Sequence, residues 1–204
     1  MIVTKTVLQA MAGGVVIVGV AAGCAAGTPA GAPSTSASAG AASQVTESNP
    51  PGDIPDNQAF VAFTAADGSY TLKYPEGWAR TDSGPTVTFS DKYNGITVAP
   101  HDGFYQPTEA YARTIEMPEI SSRTAGFAGG EVSTVQRPAG PVVLITYQGD
   151  SAPSPVTGKS VRQDVARYEY ARDGRGVVVT LAAPAGSDSV DPWRIVTDSF
   201  TWLR

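Results

Sequence analysis

No charged residue stands between Lys5 and Glu47, and that gap decides how much of this chain can fold. Its first part, Val7 to Ala22, is a mostly apolar run broken by Gln9 and by Gly13, Gly14 and Gly19. Its second part, Ala25 to Gln44, contains only Ala, Gly, Ser, Thr and Pro before the closing Gln. Such residues bury too little apolar surface to offset the ~1–2 kcal/mol that ordering each backbone unit costs. A flexible tether is predicted there, continuing through "VTESNPPGDIPDNQ". At about 30 residues it has an r.m.s. reach of roughly 30 Å. The apolar run falls short of the roughly 20 residues that a permanent bilayer-spanning helix needs. It follows a short positive region at the amino terminus and Lys5 and ends in Ala21-Ala22-Gly23, the pattern of a cleaved export signal.

The only cysteine, Cys24, sits directly after those small residues. One thiol forms no internal disulfide and no zinc site with neighbouring thiols. With His101 the only histidine, a transition-metal site would rest on carboxylates, and their spacing suggests none, so no cofactor is expected. "VAAGC", Val20 to Cys24, resembles the lipobox of bacterial lipoproteins, with Val or Ala where Leu is usual. The resemblance implies cleavage before Cys24, diacylation of its sulfur and anchoring at the extracytoplasmic face of the cell membrane. Each buried CH₂ contributes roughly 0.8 kcal/mol, so two acyl chains hold a domain that one would release. An ordinary secretory signal with a chance cysteine is the alternative. The expected organisation is a signal peptide over 1–23, a lipidated linker over 24–57 and a folded domain over 58–204.

The domain reads mainly as strands. "AFVAF" and "SYTLKY" flank a turn at Gly68, "TVTFSD" and "GITVAP" flank Asn94-Gly95, and two more strands flank Pro138-Ala139-Gly140-Pro141. "DVARYEYARDGRGVVVTLAA" predicts a hairpin with Asp173-Gly174-Arg175-Gly176 at its tip. Within it Val165, Arg167 and Glu169 alternate with Ala166, Tyr168 and Tyr170, so one face is polar. "VVVTLA" suits a central strand covered on both sides. A helix is expected from Pro107 to about Met117, ending before Pro118, and a second with Asp191 as N-cap and Pro192 at its first position. These elements predict an α+β fold, an antiparallel β-sheet flanked by a few α-helices.

The order is similar to that of the PsbP/Mog1-like superfamily, through "YTLKYPEGW" (Tyr70 to Trp78) and "DPWRIVTDSFTWL" (Asp191 to Leu203). The resemblance implies an α/β/α sandwich. It supplies no catalytic residues, because superfamily members have different tasks.

Five residues are candidates for a ligand or partner surface. Tyr74 and Trp78 flank a Pro75-Gly77 turn, where they plug the core or rim a groove. His101, Phe104 and Tyr105 lie in "HDGFYQP", where Asp102 is placed to orient an imidazole. The long polar stretch Gln148 to Ser160 joins two strands; it reads as a partner-binding loop or a disordered excursion. No Gly-x-Ser-x-Gly elbow, P-loop or dinucleotide fingerprint occurs. The acidic balance, 14 basic against 19 acidic residues, disfavours nucleic acid as partner. The expected function is a non-enzymatic binding or accessory module for a cell-envelope partner. The alternative is a carrier or sensor of a small apolar ligand or lipid in a sheet–helix pocket lined by Tyr111, Trp193 and Trp202. A hydrolase using His101 or a carboxylate comes third.

Overall fold

The computed structural model describes residues 52–101 and 103–204. Cys24, the signal, nearly all of the linker, and Asp102 lie outside the described residues.

Among the described residues, ten strands form two antiparallel sheets. They are β1 (Phe60–Thr64), β2 (Tyr70–Pro75), β3 (Ala79–Ser83), β4 (Thr86–Asp91), β5 (Asn94–His101), β6 (Ala128–Arg137), β7 (Gly140–Asp150), β8 (Arg162–Arg172), β9 (Arg175–Pro184) and β10 (Thr201–Trp202). A small sheet has the order β1-β2-β10, and a large one the order β3-β4-β5-β9-β8-β7-β6. The α+β class holds, but the expected sheet is divided in two. The terminal strand explains why: β10 pairs with β2, Thr201 opposite Thr71, and so closes the small sheet.

The small sheet and helix α3 (Val190–Asp198) cover one face of the large sheet. Phe63 and Tyr70 from the small sheet, Phe89 from β4, Tyr170 from β8 and Phe200 after α3 meet in one core. Tyr170 and Phe200 stack with centroids 4.0 Å apart, and Phe63 meets Phe89 edge-on at 5.4 Å. Such aromatic pairs contribute roughly 0.5–1.5 kcal/mol beyond burial of area. On the opposite face lies a helical strap: α1 (Glu109–Tyr111), a π-helical turn (Ala112–Glu116) and α2 (Met117–Arg123). It closes a second, smaller apolar cluster of Ala112, Val132, Val143 and Ile145. As expected, β9 is central, between β5 and β8, and Val177, Val178 and Val179 are buried on both faces.

Several local expectations need correction. The first helix runs past Pro118 to Arg123. A proline inside an α-helix removes one bond and presses on the carbonyl four residues back. Here the wider π turn, with the Met117 N–H donating to the Ala112 carbonyl, stands directly ahead of Pro118 and relieves that conflict. The N-cap of α3 is Ser189, whose carbonyl accepts from the Trp193 N–H at 3.0 Å; Asp191 sits in the first turn, paired with Arg194. Asn94 and Gly95 belong to β5, and the hairpin turns at Lys92-Tyr93, with Lys92 at φ 53°. The packed body also starts before residue 58: Ile54 is buried, and Asp53 accepts from the Asp188 N–H.

Candidate functional site

The structure separates the five candidate residues. Tyr74 stacks on Phe89 with centroids 3.8 Å apart, and Trp78 packs half-buried against the main core. Both therefore serve the core. His101, Phe104 and Tyr105 do come together, where the segment after β5 crosses the β8–β9 hairpin tip. The Tyr105 N–H donates to the Gly174 carbonyl at 2.7 Å. The Tyr105 ring lies over Gly176 so closely that any side chain there would overlap it, and Phe104 covers Gly174 in the same way. His101 stacks on Tyr105 at 4.0 Å from the solvent side. Phe104 stays 79% exposed, whereas Tyr105 is buried. The sheet–helix pocket expected from Tyr111, Trp193 and Trp202 is not formed by those residues. Tyr111 faces solvent on the strap, Trp202 is buried with Tyr70 and Phe200, and Trp193 flanks the core from α3.

Beneath Tyr105 lies an ionic cluster. The polar face of β8 is capped by the strap, so Glu169 is 0% exposed. The Arg167 Nε donates to Glu169 Oε1 at 2.8 Å, and its Nη2 donates to Glu116 Oε1, from the π turn, at 3.3 Å. Three buried oxygens lack a partner in this arrangement: Tyr105 Oη, Glu116 Oε2 and Glu169 Oε2. Tyr105 and Glu116 both face Glu169 closely enough for its charge to act on them. Burial, then the Glu169 charge, push the Glu116 carboxyl up to about 7, against the pull of Arg167. Burial likewise raises Tyr105 well above the ordinary phenol range, with both carboxylates adding to the effect. Two carboxylates facing one guanidinium suit a proton held between them. The alternation in "ARYEY" marked the polar face, but nothing local in sequence placed Glu116 over it.

The stretch Gln148–Ser160 yields the second feature. Its centre is a hydrogen-bonded turn. The Ser151 N–H donates to the Val161 carbonyl at 2.8 Å, and the Ser154 N–H to the Lys159 carbonyl at 2.9 Å. Ser154 Oγ accepts from the amides of Val156 and Thr157. Tyr93 in the β4–β5 turn donates to the Lys159 carbonyl, and Gln163 donates to the Tyr93 carbonyl at 2.6 Å. Between loop and hairpin runs a groove of about 680 Å³. Its floor is Thr88, Gly95 and Thr97, its walls are Tyr93, Pro153, Pro155 and Val156, and apolar surface predominates. Val156 is 90% exposed. Asn94 closes one end, donating to the Gly52 carbonyl at 3.0 Å, while its buried Oδ1 has no partner.

Among the described residues, no group of three or more His, Cys, Asp and Glu side chains is placed to hold a metal ion. No helix of those residues is long and apolar enough to cross a membrane. No protein-family model and no curated protein matches the sequence. Among solved structures the chain is similar to cyanobacterial PsbP (CyanoP) from Synechocystis sp. PCC 6803. The TM-score is 0.51 at 13% identity, covering 76% of this chain and 99% of that one. A weaker likeness, TM-score 0.44 at 10% identity, covering 70% of this chain and 48% of the other, is to a Bacteroides thetaiotaomicron VPI-5482 protein and carries no weight for the fold. The first likeness shows a PsbP-like fold.

Proposed function

We propose that this chain is a membrane-anchored, extracytoplasmic binding or accessory module without catalytic activity of its own. In this reading acyl chains on Cys24 hold the protein at the cell membrane, and the Ala/Gly/Ser/Thr/Pro stretch leashes the domain. The domain recruits an envelope protein through the groove between the 151–161 loop and the β4–β5 hairpin.

The observation that carries this reading is the groove. A loop fixed by its own hydrogen bonds holds Pro155 and Val156 out at the end of a rigid sheet. Solvent-exposed apolar side chains on a preorganised loop bind without a large ordering cost. The tether supports the same reading, because it raises the effective concentration of a weak binder near membrane partners.

A photoreactive residue at position 156, introduced in the full chain in living cells, tests it. The expected result is an envelope protein enriched over a tether-only control, with the yield lost when Tyr93 and Pro155 are replaced by Asp. Equal capture by the control overturns the proposal. A second reading, carriage of a small apolar ligand, draws on the groove's volume, since small-molecule sites occupy roughly 300–1,000 Å³. A lipid or metabolite retained in native mass spectra of gently purified protein favours it; bare protein removes it.

A further inference from the structure

The strap Glu109–Arg123 grips the large sheet thinly. Neither α1 nor α2 contributes a fully buried side chain, and the π turn contributes only Ala112. Met117 and Ile120 add partial cover over Val132, Val143 and Ile145. The remaining ties are polar. Arg113 donates to the Val132 carbonyl, Thr134 donates to Glu109 at 2.8 Å, and Arg167 bridges Glu116 to Glu169. Segments with few buried apolar contacts open at the lowest free-energy cost in a fold.

The most deeply placed of those ties has an unbalanced charge. One guanidinium faces two carboxylates, and each carboxylate keeps one buried, unpartnered oxygen. Two ionised carboxylates in that position only repel. A single proton on Glu116 lets its free oxygen donate to the unpartnered Glu169 oxygen as an O–H···O⁻ hydrogen bond.

We infer that the strap is a proton-latched cover: it lies closed on the sheet while Glu116 carries a proton given to Glu169, and loosens when that proton leaves. Opening moves Glu116 into water and uncovers the apolar patch of Val132, Val143 and Ile145 together with Arg167. This inference stands apart from what occupies the groove, which lies among other residues.

The direction of the pH effect follows from Glu116 alone. Its carboxyl rises from 4.5 to about 7 in the closed state. The closed strap therefore holds a proton that the opened strap gives up between those values. The stabilisation is complete below pH 4.5 and is lost as pH rises through about 7. Within that window each pH unit changes the open population up to about tenfold, and above it the dependence flattens. The titratable and charged groups around Glu116 are Arg167 and Glu169 from β8 and Tyr105 from the preceding segment. Tyr147 of β7 lies near Arg167, and His101 of β5 lies on the outer side of Tyr105. His101, the chain's only histidine, is stacked on Tyr105, so its contribution is controlled separately.

Hydrogen exchange of the full chain in detergent, corrected for intrinsic rates, reads the strap amides between about pH 5 and pH 8. Protection over residues 109–123 is expected to fall toward pH 7 and then level off, with the β8–β9 amides unaffected. Glu116→Gln, a neutral isostere, is expected to abolish the slope, while His101→Gln preserves it. Protection that does not vary with pH, or a slope that survives in Glu116→Gln, overturns the latch. Should Glu116→Gln fail to fold, the side-chain carbon resonance of Glu116 in the unaltered protein decides. A midpoint near 7 supports the latch, and an ordinary glutamate midpoint refutes it.

Discussion

Glu169 and Arg167 show how a charged pair in a strand becomes structural once a helix is laid over it. With Glu169 sealed from solvent and Arg167 only partly exposed, removing the carboxylate takes away the shorter of the guanidinium's two ion pairs and leaves a buried gap beside it. Glu169→Ala is expected to destabilise the domain by about 3 kcal/mol, whereas the same substitution at exposed Asp82 changes stability by less than about 0.5 kcal/mol. Urea unfolding of both variants measures the contrast. Gly176 makes a second prediction at this scale. Tyr105 occupies the space of a side chain there, so Gly176→Ala must push the ring off the β8–β9 hairpin and is expected to cost about 1–3 kcal/mol. Loss of the His101–Tyr105 stacking contact, read from the His101 ring-proton shifts, accompanies it.

Among the elements, the strap and the 151–161 loop carry the functional reading, and each was legible to a different depth. The loop was identifiable from length and polarity. Its order was not, because the loop's own turn bonds are joined by Tyr93, far away in sequence, which donates to the Lys159 carbonyl and is itself held by Gln163. The strap's first turn was signalled by Thr108 to Tyr111, but its continuation was hidden by Pro118, which ordinarily stops a helix. Strand β3 was missed because all five of its residues are exposed and four are polar, leaving no alternation to read. Tyr74 and Trp78 were correctly tied to a turn; whether they rim a groove depended on Phe89, which only the small sheet's position over β4 brings beneath Tyr74. At this scale, Pro155→Asp is expected to leave thermal unfolding within about 0.5 kcal/mol of the unaltered protein while abolishing partner cross-linking from position 156. A stability loss of core size would instead make the loop a packing element.

At the scale of the whole molecule, the PsbP-like likeness spans 76% of the chain as a layered α+β body, and the proposal adds an anchor and leash to it. The hairpin sequence, the central apolar strand and the terminal helix–strand pair carried that fold in the sequence, because each rests on local pattern. The division into two sheets did not, since it depends on β10 reaching back to β2. Placing a weak binder on a short leash only matters when the leash is fixed at one end. The decisive measurement is therefore the intact mass of the protein recovered from its native membranes, beside a Cys24→Ala variant. The account predicts a mature chain beginning at Cys24 with the added mass of acyl chains, and an unacylated variant that leaves the membrane fraction. A free thiol at Cys24, or a variant that stays membrane-bound to the same extent, contradicts it.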